Sequence, residues 1–254
     1  RQGRVVLPIV AGTWKFRHSM ALPELRDFEE IDAGILRGAC HRDTPSRSLY
    51  PHRLPRTGVR TLNEISKDLK TYDRPVNLGN PQMGWASDVA AEMLRRLGIK
   101  YISLNPGASY RGLHDSIVNY LGNESPQMLI CLHEDHAVHV AQGYAKATGE
   151  PMACALHSNV GLMHGLMATF NAWCNRVPMI MMGATGPVDA SIRRPWIDWI
   201  HTAKDQGAML RDYTKWDDEP RSAEAIIETM FRANQRARSQ PPGPVYICLD
   251  AGLQ

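Results

Sequence analysis

The sequence predicts an α/β fold of three layers, in which about six mostly parallel strands are covered by helices on both faces. Two observations carry that prediction. From Met83 onward, short apolar runs alternate with stretches of helical periodicity. The runs are continuous in apolar residues and do not alternate with polar ones, as strands buried on both faces of a parallel sheet require.

The elements follow in order. "ASDVAAEMLRRLG" begins with a Ser or Asp cap, repeats apolar residues at helical spacing and stops at Gly98; "KYISLN" after it is a short strand. "QMLICL" is the next strand and leads into the helix "EDHAVHVAQGYAKATG". "PMACALH" precedes the helix "VGLMHGLMATFNAWCN", whose apolar face "LMHGLMATFNAW" reads as core. "VPMIMMG" leads to a loop and a further helical stretch. "MLRDYTKW" and "GPVYICLD" supply two more strands, flanking the helix "SAEAIIETMFRANQRARS".

Before this lies a different texture. Residues 1–74 are rich in Arg, Pro, His and Ser, with one short helical pattern around "LPELRDFEEIDAGILRGA" and a proline-punctuated stretch, "CHRDTPSRSLYPHRLPRTG". Proline removes donors and few apolar residues are available for burial. The expected organisation is therefore an irregular extension over 1–74 and a domain over 75–254. The chain starts at Arg1 and not at Met, which is what a piece of a longer polypeptide would show.

Composition excludes some classes. Of 254 residues, 43% are hydrophobic and the formal charge is only +3, with both signs interspersed, so there is no dense basic stripe for nucleic acid. Apolar runs fall well short of the roughly 20 residues that span a bilayer, so no membrane partner is expected. Cys40, Cys131, Cys154, Cys174 and Cys248 are odd in number and mostly embedded in apolar runs, which reads as buried thiols in a reducing, cytoplasmic setting.

In parallel sheets ligands meet the loops at the carboxyl ends of the strands. Here those loops read "NPGASYRG" (105–112), "HEDH" (133–136), "HSNVG" (157–161) and "GATGPVD" (183–189). A zinc-protease site among His133, Glu134, His136 and His139 fails on spacing, because the position four after His133 is Ala137. Neither a lysine-terminated phosphate loop, nor G-x-G-x-x-G, nor a serine elbow G-x-S-x-G occurs. That leaves Glu134, a carboxylate at the end of a buried strand. Two readings fit it equally: a helix cap, or a functional carboxyl.

The stretch "EDHAVHVAQGYA", Glu134 to Ala145, resembles the E-x-x-A-x-x-x-A-x-G-Y-A signature of the pyrimidine-binding domain in thiamine-diphosphate enzymes of the acetolactate synthase and benzoylformate decarboxylase group. "NPGAS" resembles the family's N-P-G-S loop. "PMACALHSNVGLMHGLMATFNAW" stands in the place of its T-S-G-P-G…N…G-L-A-N-A block, and "VPMIMMGATG" resembles a strand and loop further on. The similarity runs from about Gly84 to Asp250 and leaves the first seventy or so residues outside it.

The resemblance implies a role for each matched residue. Glu134 would hydrogen-bond N1′ of the cofactor's pyrimidine ring, favouring the 4′-imino tautomer that takes the thiazolium C2 proton. Asn105, Pro106 and Gly107 match the loop near the substrate, although Ala108 stands where serine is usual, with Ser109 one place later. In "HSNVG" only Ser158 and Gly161 keep the family's types, and His157 becomes a candidate acid/base residue. His201, Arg193 and Arg194 are candidates for contact with an acidic substrate or a neighbouring subunit.

The implied substrate is a small 2-oxo acid, and the implied reaction makes or breaks one of its C–C bonds. The implied cofactors are thiamine diphosphate with Mg²⁺, and FAD as in some acetolactate synthases. The family holds Mg²⁺ through a G-D-G motif in a separate domain, and this chain has no G-D-G. The expectation is a homo-oligomer in which the diphosphate-binding domain of another subunit or chain completes the site. Two alternatives stand beside it, a non-catalytic assembly or regulatory subunit and a metal hydrolase built on the histidine cluster.

Overall fold

The computed structural model describes residue 75 and residues 79–254. The extension expected over 1–74, with its short helix, lies outside the described residues.

Six strands form one sheet in the order β2-β1-β3-β4-β6-β5, and every neighbouring pair is parallel. They are β1 (Tyr101–Leu104), β2 (Gln127–Ile130), β3 (Met152–Leu156), β4 (Met179–Thr185), β5 (Asp217–Asp218) and β6 (Pro244–Asp250). The helices are α1 (Ala86–Arg96), α2 (Arg111–Asp115), α3 (Glu134–Thr148), α4 (Ser158–His164), α5 (Leu166–Cys174) and α6 (Ala223–Arg238). The three-layer, parallel expectation is met.

Alternate residues of each strand point to opposite faces, and the two faces bury different helices. Ala153, Ala155, Ile180, Met182, Val245 and Ile247 pack with Ala90, Leu94, Ile226 and Met230 of α1 and α6. Met152, Cys154, Leu156, Met179 and Met181 pack with Val138, Ala141, Leu162, Ala168 and Ala172 of α3, α4 and α5. All of β3 and β4 is buried on both sides, which explains their unbroken apolar runs. Each fully buried Leu, Ile or Met side chain is worth about 1.5–3 kcal/mol of transfer free energy.

Several elements differ from expectation. The cap of α1 is neither Ser87 nor Asp88 but Trp85; Asp88, at the helix's third position, accepts from the amides of Trp85 (3.0 Å) and Gly84 (2.9 Å) through Oδ2. The single helix expected over "VGLMHGLMATFNAWCN" is two, divided at Gly165. "MLRDYTKW" forms no strand; it makes 3₁₀ turns at Gly207–Met209 and Arg211–Tyr213, and the short β5 comes just after it. The segment after β4 makes only 3₁₀ turns, at Ala190–Ile192 and Asp198–His201. Residues 108–120 instead form a short helical run, including a π-helical turn at Ser116–Tyr120.

The apolar face of α4 and α5 is also not all core. Leu162, Ala168 and Ala172 are fully buried, but Met163, Met167, Phe170 and Trp173 are exposed. None of the described helices is long and apolar enough to cross a membrane. Cys131, Cys154, Cys174 and Cys248 are all free thiols.

Candidate functional site

The strand order creates a crevice. From β1 the chain runs outward to β2 through residues packed on the α1–α6 face, whereas from β3 it runs the other way to β4 through α4 and α5 on the opposite face. Connections diverging from adjacent parallel strands leave an opening at their carboxyl ends. The loops that border it are Asn105–Gly107 after β1 and His157–Ser158 after β3.

These loops touch closely. A Cβ on Gly107 would lie 2.6 Å from His157 Cβ, so glycine is what lets them meet. Ser109 Oγ pairs with His157 Nδ1 at 2.9 Å and accepts from the Ser158 amide at 3.1 Å. Ser158 is fully buried with φ +33°, a left-handed conformation held by that bond. Tyr110 Oη donates to the Asn105 carbonyl, and Gln254 Nε2 donates to the Ser109 carbonyl at 2.8 Å. Burial, with Glu134 nearby, pushes the Tyr110 phenol well above its ordinary range, so it stays a donor.

Glu134 reaches the same region from α3. The helix is capped by His133, whose Nδ1 accepts from the Asp135 amide at 3.2 Å, so Glu134 is its first helical residue and not its cap. The capping reading therefore falls to its neighbour. The Glu134 side chain is only 9% exposed, and its Oε2 accepts from His164 Nδ1, 3.1 Å away on α4. The His164 ring stacks on His133 with centroids 4.8 Å apart.

Gly161 forms the floor under the carboxylate. A Cβ there would stand 2.8 Å from Glu134 Oε1 and 3.1 Å from His157 Cβ. His157, half-buried, faces His201 with ring centroids 4.7 Å apart. Burial first, and then the His201 ring, hold the His157 imidazole below its ordinary pKa against the pull of Glu134. It is thus a neutral proton acceptor near neutral pH. Asn159 Nδ2 donates to the Ile200 carbonyl at 3.0 Å and ties this loop to the turn that carries His201.

Glu134, Asn105, Gly107, His157, Ser158 and Gly161 are thus gathered at or beside the crevice, with Pro106 exposed on the same loop. The arginines are not drawn in. Arg193 donates to the Pro187 and Val188 carbonyls, and Arg194 pairs with Asp198 at 2.7 Å, within their own loop. Of the histidines weighed for a metal, His139 bonds Asp135 at 3.1 Å on the surface of α3. His164 was missed. Its bond to Glu134 spans two helices, and no spacing in the sequence signals it.

The arrangement brings a buried carboxyl to the crevice: any side chain at position 161 would collide with Glu134 Oε1, and Glu134 Oε2 is held by His164.

Residues 85–209 match the family described as thiamine pyrophosphate enzyme, N-terminal TPP binding domain. Among curated proteins, benzoylformate decarboxylase of Pseudomonas aeruginosa is 28% identical over 158 residues, covering 62% of this chain and 28% of that protein. The acetolactate synthase large subunit of Lactococcus lactis is 29% identical over 177 residues, covering 69% of this chain and 29% of that protein. The chain thus spans under a third of the length of these relatives. Among solved structures, benzoylformate decarboxylase from Polynucleobacter necessarius has a TM-score of 0.57 at 23% identity, covering 67% of this chain and 30% of that one, which is likeness of fold. Residues 85–209 are thus similar to the N-terminal cofactor-binding domain of the thiamine pyrophosphate enzymes, and the described part of the chain shares their fold.

Proposed function

We propose that residues 75–254 are the pyrimidine-binding domain of an enzyme that makes or breaks a C–C bond of a small 2-oxo acid. The observation that supports this most is the buried Glu134 carboxyl, set over Gly161 at the opening between the β1 and β3 loops. Thiamine diphosphate, when bound, supplies the electron sink for such chemistry beside a carbonyl.

This chain's own residues would bind and position it. Glu134 would hold the pyrimidine through a carboxyl hydrogen bond, with His164 fixing the carboxylate's orientation from α4. Gly161 leaves room for the Glu134 carboxylate to lie in this position, and Ser158, bonded to Ser109, shapes the wall beside it. The Asn105–Gly107 loop, pinned by Tyr110, would border the substrate. His157, neutral and half-exposed, is placed to accept or return a proton.

The diphosphate and its Mg²⁺ belong, in this reading, to a domain of another subunit or chain in a homo-oligomer. The four cysteines among the described residues are free thiols, which fits a cytoplasmic setting. FAD belongs to the acetolactate synthase form of the reading, and lyase or transferase is the choice between its two branches.

A panel of 2-oxo acids offered to the full-length polypeptide, with and without thiamine diphosphate and Mg²⁺, tests it. Carbon dioxide release or a new C–C product only with the cofactor is expected. Absence of both turnover and cofactor binding across the panel would overturn the reading.

A further inference from the structure

The cluster at the start of α3 contains more ligating chemistry than a pyrimidine needs. His133, Glu134 and His164 each bring one ligand atom, and these three atoms lie within 4.8 Å of one another. Two come from adjacent residues at a helix start and the third from α4, thirty residues further along the chain.

We propose that His133, Glu134 and His164 form a site for a divalent transition-metal ion of the zinc or cobalt class. Two imidazoles and one carboxylate suit those ions, whereas magnesium and calcium favour oxygen alone. His164 Nδ1 and Glu134 Oε2, 3.1 Å apart, already stand at the separation of two ligands on one small ion, roughly 3–3.4 Å for bonds of about 2.0–2.2 Å. On binding, His164 carries its ring proton on Nε2 and presents the Nδ1 lone pair, so the ion takes the place of the Nδ1–Oε2 hydrogen bond.

His133 completes the set by turning its ring or giving up the 3.2 Å bond from the Asp135 amide, which water can replace at this half-exposed helix start. The His164 side chain is 57% exposed, which supplies access, while the Glu134 carboxylate anchors the ion from the buried side. Three protein ligands leave the remaining coordination positions to water.

One consequence rests on the functional reading above: an ion here occupies the carboxylate that would hold the pyrimidine, so metal and cofactor compete. The site itself does not depend on that reading and is measured without the cofactor.

The experiment titrates Co²⁺ into the full-length polypeptide after removal of chelator, following the visible absorption of the bound ion, with four variants. His164→Ala removes an exposed ligand, and His133→Ser removes the other imidazole while keeping a capping side chain. Glu134→Gln removes the charge, and His139→Ala removes an exposed histidine on the same helix that lies outside the set. The expected result is a site whose affinity falls at least about tenfold in each of the first three and is unchanged in the last. Wild-type affinity in His164→Ala, or no saturable absorption change in the parent, would overturn the site. Binding in the pattern expected, without any turnover of 2-oxo acids, would sustain the site and leave the competition without its basis.

Discussion

Two clusters of polar side chains on this sheet use charge in opposite ways. Beside β5, Arg211 spreads its guanidinium between two carboxylates, Asp205 at 3.0 and 3.1 Å and Asp217 at 2.7 and 3.0 Å. Within this trio each charged group has a partner of opposite sign in a planar, forked geometry. At the start of α3 the single carboxylate of Glu134 meets one hydrogen-bonding side chain, His164, and the other rings lie against one another. The first cluster is saturated from within. The second is built from imidazoles around one carboxylate, with a single hydrogen bond from His164 to its Oε2. Saturation suits a joint, and the less bonded set is the one proposed above for chemistry.

The largest expected effect breaks the less bonded cluster at its carboxylate. Glu134→Gln keeps size and a hydrogen-bonding tip but cannot hold the charge, so kcat of the complete enzyme should fall by about 10²–10⁴-fold, the range of positioned proton transfer. Its thermal melting should stay near that of the parent. Activity within a few fold of wild type would remove Glu134 from the chemistry.

Next in size is the floor. Gly161→Ala drives a methyl toward Glu134 Oε1 and His157 Cβ, and the neighbours must shift. A loss of about 1–3 kcal/mol of stability from overpacking is expected, with a fall in activity larger than Tm alone explains. Gly143→Ala, in the middle of α3 with nothing within 4 Å of the new carbon, should instead gain about 0.5–1 kcal/mol. Denaturant melts of both proteins give the comparison directly. Equal losses at the two glycines would mean that the floor has no special geometry.

His157 sharpens the contrast through pH. Its folded-state pKa is depressed, so on acidification the unfolded chain takes the proton first, and stability falls as pH drops below about 6.5. The loss continues until the folded pKa is passed. His157→Gln should flatten this part of the stability profile while changing little above pH 7. Urea midpoints measured from pH 5 to 8 would show it; a parallel profile in the variant would assign the slope to other groups.

The fold was far more legible than the site. Strands β1, β3, β4 and β6 announced themselves because burial on both faces leaves continuous apolar runs, and the edge strand β2, with only Met128 buried, is apolar enough to read the same way. "MLRDYTKW" misled because its apolar residues serve different cores: Leu210 packs with the α3–α5 side, while Trp216 packs on the α1–α6 side. Turns, not a strand, let one segment supply both. The helix "LMHGLMATFNAW" is apolar nearly all round, so periodicity could not separate Leu162, buried, from Met163 and Met167, exposed. Glu134 and His157 were singled out through motif and loop position, and both lie against Gly161. His164 was hidden because its bond to Glu134 is made in space between two helices, a relation that local spacing does not encode.

The smallest expected effect lies at the saturated cluster. Arg211→Gln leaves Asp205 and Asp217 facing each other without their shared cation, yet Asp205 is half-exposed and water can take over much of its solvation. Exposed pairs contribute little, and this one gains over the usual case only through its two-sided fork. The variant should therefore melt a few degrees lower at most, and the difference should shrink as salt is raised, because screening shortens the reach of the repulsion left behind. Activity should be unchanged. Scanning calorimetry at low and high salt, with turnover measured in parallel, checks both halves. A large loss of activity at unchanged stability would mean that the β5 cluster communicates with the crevice, and the division between a joint and a chemical site would fail at its simpler end.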